Sequence, residues 1–259
     1  MKVHFIGIGG IGLSALARFL NFDGHEVSGS DMKSSLITKA LESEGIKVSC
    51  PQSGSNIQDD FDLVIYSAAV TDENPELIEA RLKQIRTLSR KEALPIILGD
   101  KKNYCVAGAH GKSTTTAILA SILESSALIG AISKDFGSNF RYVNNLIAFE
   151  ADESDASFLL SNPYCAIVTN AEPEHMEYYH YDYDKFYGSY ERFISLAKKR
   201  VVNGEDKDIA KLKIEDATYL YPSKDIKNLC YTLKNNQPCT RFDLKDLGTF
   251  EVWGFGFHM

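Results

Sequence analysis

The chain opens on a short apolar run, KVHFIG at residues 2–7, which leads into GLSALARFLNF at 12–22, where apolar residues recur at helical spacing. A brief apolar run closed by a turn residue reads as a buried strand, and spacing of three and four as an amphipathic helix. The alternation continues. EVSGSD (26–31) and GIKVSC (45–50) form weaker strand patterns and DLVIYSA (62–68) a strong one, while SSLITKALESEG (34–45) and NPELIEARLKQ (74–84) are helical. Strands alternating with helices predict a parallel sheet covered on both faces.

A polar stretch, GDKKN at 99–103, interrupts this rhythm. A second series follows, with strands YCVAG (104–108), LIAFEA (146–151), CAIVTN (165–170) and RVVNG (200–204), and a helix over 184–199. From ATYLYP (217–222) onward short strands dominate. The pattern predicts an α/β chain in which a Rossmann-like parallel-sheet domain at 1–99 precedes a P-loop-type α/β domain at 100–259. The closing EVWGFGFHM has the apolar character of a buried segment, which points to a chain truncated before a further domain.

Composition narrows the partners. With 259 residues and 44% hydrophobic content, one large or two ordinary domains can bury real cores. A formal net charge of −7 supplies no basic field for a nucleic-acid backbone or an anionic membrane. The five cysteines are scattered and none forms a C-x-x-C pair, the pattern of reduced thiols in a cytoplasmic protein. No stretch approaches the roughly 18 apolar residues of a membrane span. The opening run is too short for a signal peptide and enters a glycine loop directly.

Two such loops carry the candidate chemistry. FIGIGGIG matches G-x-G-x-x-G through Gly7, Gly9 and Gly12, between a strand and a helix, with Asp31 19 residues beyond the last glycine. That is the context of a dinucleotide site: Gly7 for the turn, Gly9 for backbone approach to a diphosphate, Gly12 for helix packing, and the helix N-terminus for the anion. Read alone, the loop fits NAD, another diphosphate such as a UDP-sugar, or a purely structural turn. No hydride-transfer site accompanies it.

The second loop, GAHGKST, keeps Gly108, Gly111, Lys112 and Ser113 of a P-loop, with Val106 in place of the first glycine. Backbone N–H groups would ring the phosphates, Lys112 would reach the β and γ oxygens, and the Ser113 hydroxyl would bind Mg²⁺. The strand NLIAFE ends at Glu150, ahead of Asp152, Glu153 and Asp155. The next strand delivers Asn170, Glu172, Glu174 and His175 to the same sheet edge, where ligands of open α/β sheets bind. The Tyr-rich run at 177–190 has too few bases for nucleic-acid stacking and reads as packing.

In this order and spacing, GIGGIGLSALA, GAHGKSTTT, EADESDASFL and VTNAEPEHM resemble the Mur ligases of peptidoglycan synthesis, most closely the alanine-adding branch. The resemblance implies that the first loop holds the UDP end of UDP-N-acetylmuramate and the second holds Mg·ATP. It further implies an ATP-dependent ligase that activates the sugar's lactyl carboxylate as an acyl phosphate and joins L-alanine to it, releasing ADP and phosphate. It places sugar-nucleotide contacts at Gly7, Gly9, Gly10, Gly12, Asp31, Ser67 and Asn139. ATP contacts fall at Gly108, Ala109, His110, Gly111, Lys112, Ser113, Thr114 and Asn170, metal ligation at Ser113, Glu150 and His175, and catalysis at Lys112, Glu150 and His175. Ala109 and Ser113 replace threonines, Glu174 replaces an aspartate, and Met259 stands where a Gly-x-His-Asn segment has asparagine. Tyr190 occupies the place of a modified lysine in other branches, as alanine-adding members do. The family's third domain, which reads the amine substrate, is absent, so binding without turnover is expected. The alternatives are a recycling ligase that adds a peptide to the same sugar nucleotide, an NAD-dependent oxidoreductase, and a nucleotide-sensing module without catalysis.

Overall fold

A computed structural model of the chain describes residues 1–253; the Gly-x-His-type segment and Met259 lie outside the described residues. In chain order the regular elements begin with β1 (Lys2–Ile6), α1 (Ile11–Phe22), β2 (Glu26–Ser30), α2 (Leu36–Ser43), β3 (Lys47–Ser49), β4 (Leu63–Tyr66), α3 (Pro75–Leu82), β5 (Thr87–Ser89) and α4 (Arg90–Leu98). There follow β6 (Lys102–Ala107), α5 (Lys112–Ile122), β7 (Ser126–Ser133), β8 (Ser138–Arg141), β9 (Leu146–Glu150), β10 (Pro163–Val168) and α6 (Tyr183–Leu196). The last are β11 (Lys199–Asn203), β12 (Thr218–Leu220), α7 (Pro222–Asp225), β13 (Ile226–Lys234), β14 (Gln237–Leu244) and β15 (Gly248–Trp253).

Contacts group the chain into two compact units. The first comprises Met1–Asn103, Ala120–Phe149 and Leu160–Asn162, and the second Tyr104–Leu119, Glu150–Leu159 and Pro163–Met259. In the first unit, five strands lie in the order β3-β2-β1-β4-β5, every pair parallel. Crossover helices bury both sheet faces, which explains the continuous apolar runs of β1 and β4. Ile6, Ile57, Val64, Leu77 and Ala80 fill the layer beneath α3. The same unit holds β7, paired parallel with β9 and antiparallel with β8, and α1 packs Phe19 edge-on to Phe140 of β8.

Sequence periodicity does not announce α4, because Pro95 lies inside it. Proline removes one helical hydrogen bond, yet a capping box of Ser89 with Glu92 starts the helix and buried Ala93, Leu94, Ile97 and Leu98 hold it.

In the second unit β10, β11 and β12 run parallel, side by side. The segments after β9 and β10 both join the end of β6, Ala151 N–H donating to Val106 O and Thr169 N–H to Ala107 O. Three chain crossings thus meet at one carboxyl edge. Phe158, Phe186, Tyr190 and Phe193 form the aromatic core under α6, and β13, β14 and β15 make a separate antiparallel meander.

Candidate functional sites

In the first unit the glycine loop follows β1 directly. Gly7 has φ +82°, and a Cβ there would stand 3.0 Å from the Cβ of Ser67, so a larger residue would need both an unfavourable backbone and a displaced neighbour. Ser30 O, at the end of β2, accepts from Gly7 N–H at 2.8 Å and Ile8 N–H at 2.9 Å. Gly10 is the N-cap of α1, which has no side-chain cap. A cleft of about 630 Å³ opens here, with Gly7, Gly10, Asp31, Gln52, Ser67 and Asn74 in its walls.

Four predicted sugar-nucleotide residues, Gly7, Gly10, Asp31 and Ser67, therefore share the cleft. Gly9 and Gly12 support it from behind. Gly12 lies against the Arg90 side chain, and Gly9 N–H donates to Asp31 Oδ2 at 2.8 Å. Asp31 also accepts from Met32 N–H at 2.7 Å. The acid that follows β2 thus braces the loop through the Gly9 amide.

Asn139 departs from expectation. It is 2% exposed, donates to Ile11 O and Ser14 Oγ, and accepts from Arg18 Nη1 at 2.7 Å. Arg18 is in turn held by both oxygens of Glu44. Its amide fastens β8 to the start of α1.

In the second unit β6 runs into Gly108, Ala109, His110 and Gly111, and α5 starts at Lys112. Gly108 has φ +138°, and a Cβ there would fall 2.2 Å from Thr169 Oγ1. Asn170 braces the loop through both ends of its amide: Nδ2 donates to His110 O at 2.8 Å, and Oδ1 accepts from His110 N–H at 3.1 Å. Thr169 Oγ1 adds a bond to the same carbonyl at 2.7 Å. The predicted nucleotide-site asparagine is here a loop brace. His110 itself is exposed, with Nε2 3.4 Å from Glu174 and 3.7 Å from Glu172.

Lys112 Nζ donates to Gly108 O at 2.6 Å and to Glu153 Oε1 at 2.8 Å. Burial pushes the Glu153 carboxyl above its ordinary range, and Lys112 opposes that rise. Among the described residues Glu153 Oε2 has no hydrogen-bond partner. Ser113 Oγ donates to Glu150 Oε1 at 3.1 Å. A hydroxyl and a strand-end carboxylate are joined there as hard oxygen donors, which suits Mg²⁺. His175 is placed differently: it is exposed, in a left-handed turn with φ +51°, and its ring makes no hydrogen bond or ion pair among the described residues. Thr114 is exposed on the first turn of α5.

Sequence reading missed two features. Glu153 stood in an acidic run that reads equally as a solvated turn, yet it is the lysine's partner. A cleft of about 590 Å³ extends from His110 and Thr115 past Asn170 to Asn203, Leu220 and Ile226, contributed by strand ends that had only been read as strands. Among the described residues no helix is long and apolar enough to cross a membrane.

A glycine loop that brings a lysine, a hydroxyl and a strand-end carboxylate together gives the second unit a P-loop-type geometry, and the all-parallel sheet of the first unit is Rossmann-like. Residues 2–102 match the Mur ligase family, catalytic domain. Over its whole length the chain is 57% identical to the UDP-N-acetylmuramate–L-alanine ligase of Campylobacter curvus (strain 525.92), covering 59% of that protein. It is 48% identical to the ligase of the same name from Helicobacter pylori (strain P12), covering 99% of this chain and 57% of that one. The solved UDP-N-acetylmuramate–alanine ligase of Thermotoga maritima superposes with a TM-score of 0.82 at 28% identity, over 100% of this chain and 62% of that structure. Over its whole length the chain is similar to these ligases, and it spans less than two thirds of their length.

Proposed function

We propose that the chain carries the sugar-nucleotide and ATP sites of an ATP-dependent ligase that joins L-alanine to UDP-N-acetylmuramate in the cytoplasm, residues 1–99 serving the sugar nucleotide and 100–259 Mg·ATP. The observation that carries this reading is the Gly108–Ser113 loop, with Lys112 at its exit and Ser113 paired to Glu150. The 48–57% identity to relatives named for L-alanine favours the amino acid over a peptide as acceptor.

In the proposed reaction the lactyl carboxylate attacks the γ-phosphorus, the bond to the β-phosphate oxygen breaks, and an acyl phosphate and ADP result. The neutral amine of L-alanine then attacks the acyl carbon. The carbon–oxygen bond breaks, phosphate departs and the nitrogen loses a proton. Two anions must approach one another, so concentrated positive charge is the main requirement. Lys112 supplies part of it at the γ-phosphate once it leaves Glu153. Ser113 and Glu150 would hold Mg²⁺, with His175 as a further ligand; the ion would contribute charge neutralisation. The backbone N–H groups of the loop orient the phosphates.

The 48–57% identity to relatives named as UDP-N-acetylmuramate–L-alanine ligases disfavours the NAD reading. A thermal-shift panel tests the assignment. UDP-N-acetylmuramate and Mg·ATP should each stabilise the protein and NAD should not. Stabilisation by NAD alone would reverse it.

A further inference from the structure

Beneath the first-unit cleft lies a buried carboxylate that the reaction does not use. Glu76, in the first turn of α3, is 0% exposed. Three groups donate to it. Ser30 Oγ bonds to Oε2, while Ser53 N–H at 3.1 Å and Asn56 Nδ2 at 2.6 Å bond to Oε1. His4 Nε2 lies 3.6 Å from Oε2, its Nδ1 paired with Ser28 Oγ at 3.0 Å. These partners belong to opposite walls. Ser30 carries, on its own carbonyl, the N–H groups of Gly7 and Ile8. Ser53 and Asn56 follow Gln52, which accepts from Asn74 Nδ2 at 2.8 Å, and Asn74 in turn caps the helix that bears Glu76.

We propose that Glu76 is a positioning residue for the sugar-nucleotide site: one buried carboxylate sets the separation between the glycine loop and the 52–56 wall, so the cleft is formed before its ligand arrives. The inference rests on the reading that this cleft takes the sugar nucleotide. An ionised carboxylate can accept from several donors at once, whereas an amide presents one acceptor and turns an NH₂ towards groups that are themselves donors. A site whose supporting contacts loosen by a fraction of an ångström loses affinity without losing its fold.

The test is calorimetric titration of the intact chain with UDP-N-acetylmuramate and, separately, with Mg·ATP. Glu76→Gln should weaken sugar-nucleotide binding by about tenfold or more, the loss of a hydrogen bond to a charged group, and leave Mg·ATP affinity unchanged. Asn56→Ala, which removes one donor and buries no new group, should weaken it by about threefold while melting within a few degrees of the wild type. It keeps the test decisive should Glu76→Gln fail to fold. Hydrogen exchange should quicken at Gly7–Gly10 and at Gln52–Asn56 in both variants. Wild-type binding with unaltered affinity in a folded variant overturns the positioning role. A wild type that ignores the sugar nucleotide overturns the ligand assignment and the proposal resting on it.

Discussion

Lys112 Nζ donates to Glu153 Oε1 at 2.8 Å, and Glu153 is 1% exposed. The lysine that would meet a γ-phosphate is therefore held by a carboxylate that water does not reach, and nucleotide binding exchanges one anion for another. Lys112→Ala should abolish the thermal shift caused by Mg·ATP and preserve that caused by UDP-N-acetylmuramate. It also strands a buried acid. Breaking a buried pair costs up to roughly 3–5 kcal/mol, and protonation of Glu153 relieves part of this. Burial already raises the Glu153 pKa above its ordinary 4.5, and Lys112 opposes the rise. Removing the lysine raises it further. A raised acid binds more protons folded than unfolded, so the variant's stability falls as pH rises through the folded value. Melting at pH 5 and pH 8 should show the larger loss at pH 8; equal losses would dissociate Lys112 from Glu153.

The same pair shows where sequence legibility ends. Glycine loops, apolar strands and the acids or asparagines that terminate them are local signals, and Gly7, Gly108, Glu150 and Asn170 could be assigned to sheet edges from them. Which acid of a cluster turns inward is a matter of tertiary packing, and Glu153 was not distinguishable from Asp152 or Asp155. Asn139 illustrates the same limit at longer range: it meets Arg18 across 121 residues of chain, a separation that no local pattern encodes. The helix α4 was obscured by Pro95, whose penalty is outweighed by capping and burial.

Asn139 and the cleft can be separated experimentally. Asn139→Ala leaves Arg18 with one partner fewer and removes a donor from Ile11 O and Ser14 Oγ, all in a buried setting. The expected cost is about 1–3 kcal/mol of stability by chemical denaturation. Affinity for UDP-N-acetylmuramate, measured on the folded fraction, should stay within about threefold. A large affinity loss at unchanged stability would return Asn139 to the ligand-contacting set.

Asp31 should behave in the opposite way. Its carboxylate braces Gly9 and Met32 and also lines the cleft. Asp31→Ala frees the Gly9 amide and slackens the loop, so sugar-nucleotide affinity should fall by about five- to thirtyfold, equivalent to about 1–2 kcal/mol. The variant should still show no response to NAD. Unaltered sugar-nucleotide affinity in a folded variant would show that the brace on Gly9 does not shape the cleft.

Glu76 gives the first unit an acid limb with a definite sign. Burial opposes its ionisation, but hydrogen bonds from His4, Ser30 and Asn56 prevail and hold its pKa below the ordinary 4.5. A depressed acid binds fewer protons folded than unfolded, so its contribution is complete above the ordinary value and disappears as pH falls through the folded one. The His4 ring faces it, with Nε2 3.6 Å from Oε2. Glu76→Gln should therefore be less stable than the wild type at pH 7, and the difference should narrow towards pH 3. Over that limb the variant should take up about one proton fewer on unfolding. Denaturant midpoints measured across the range decide the matter: parallel curves for the two proteins would mean that Glu76 has the same pKa folded and unfolded, so that its donors do not favour the ionised form.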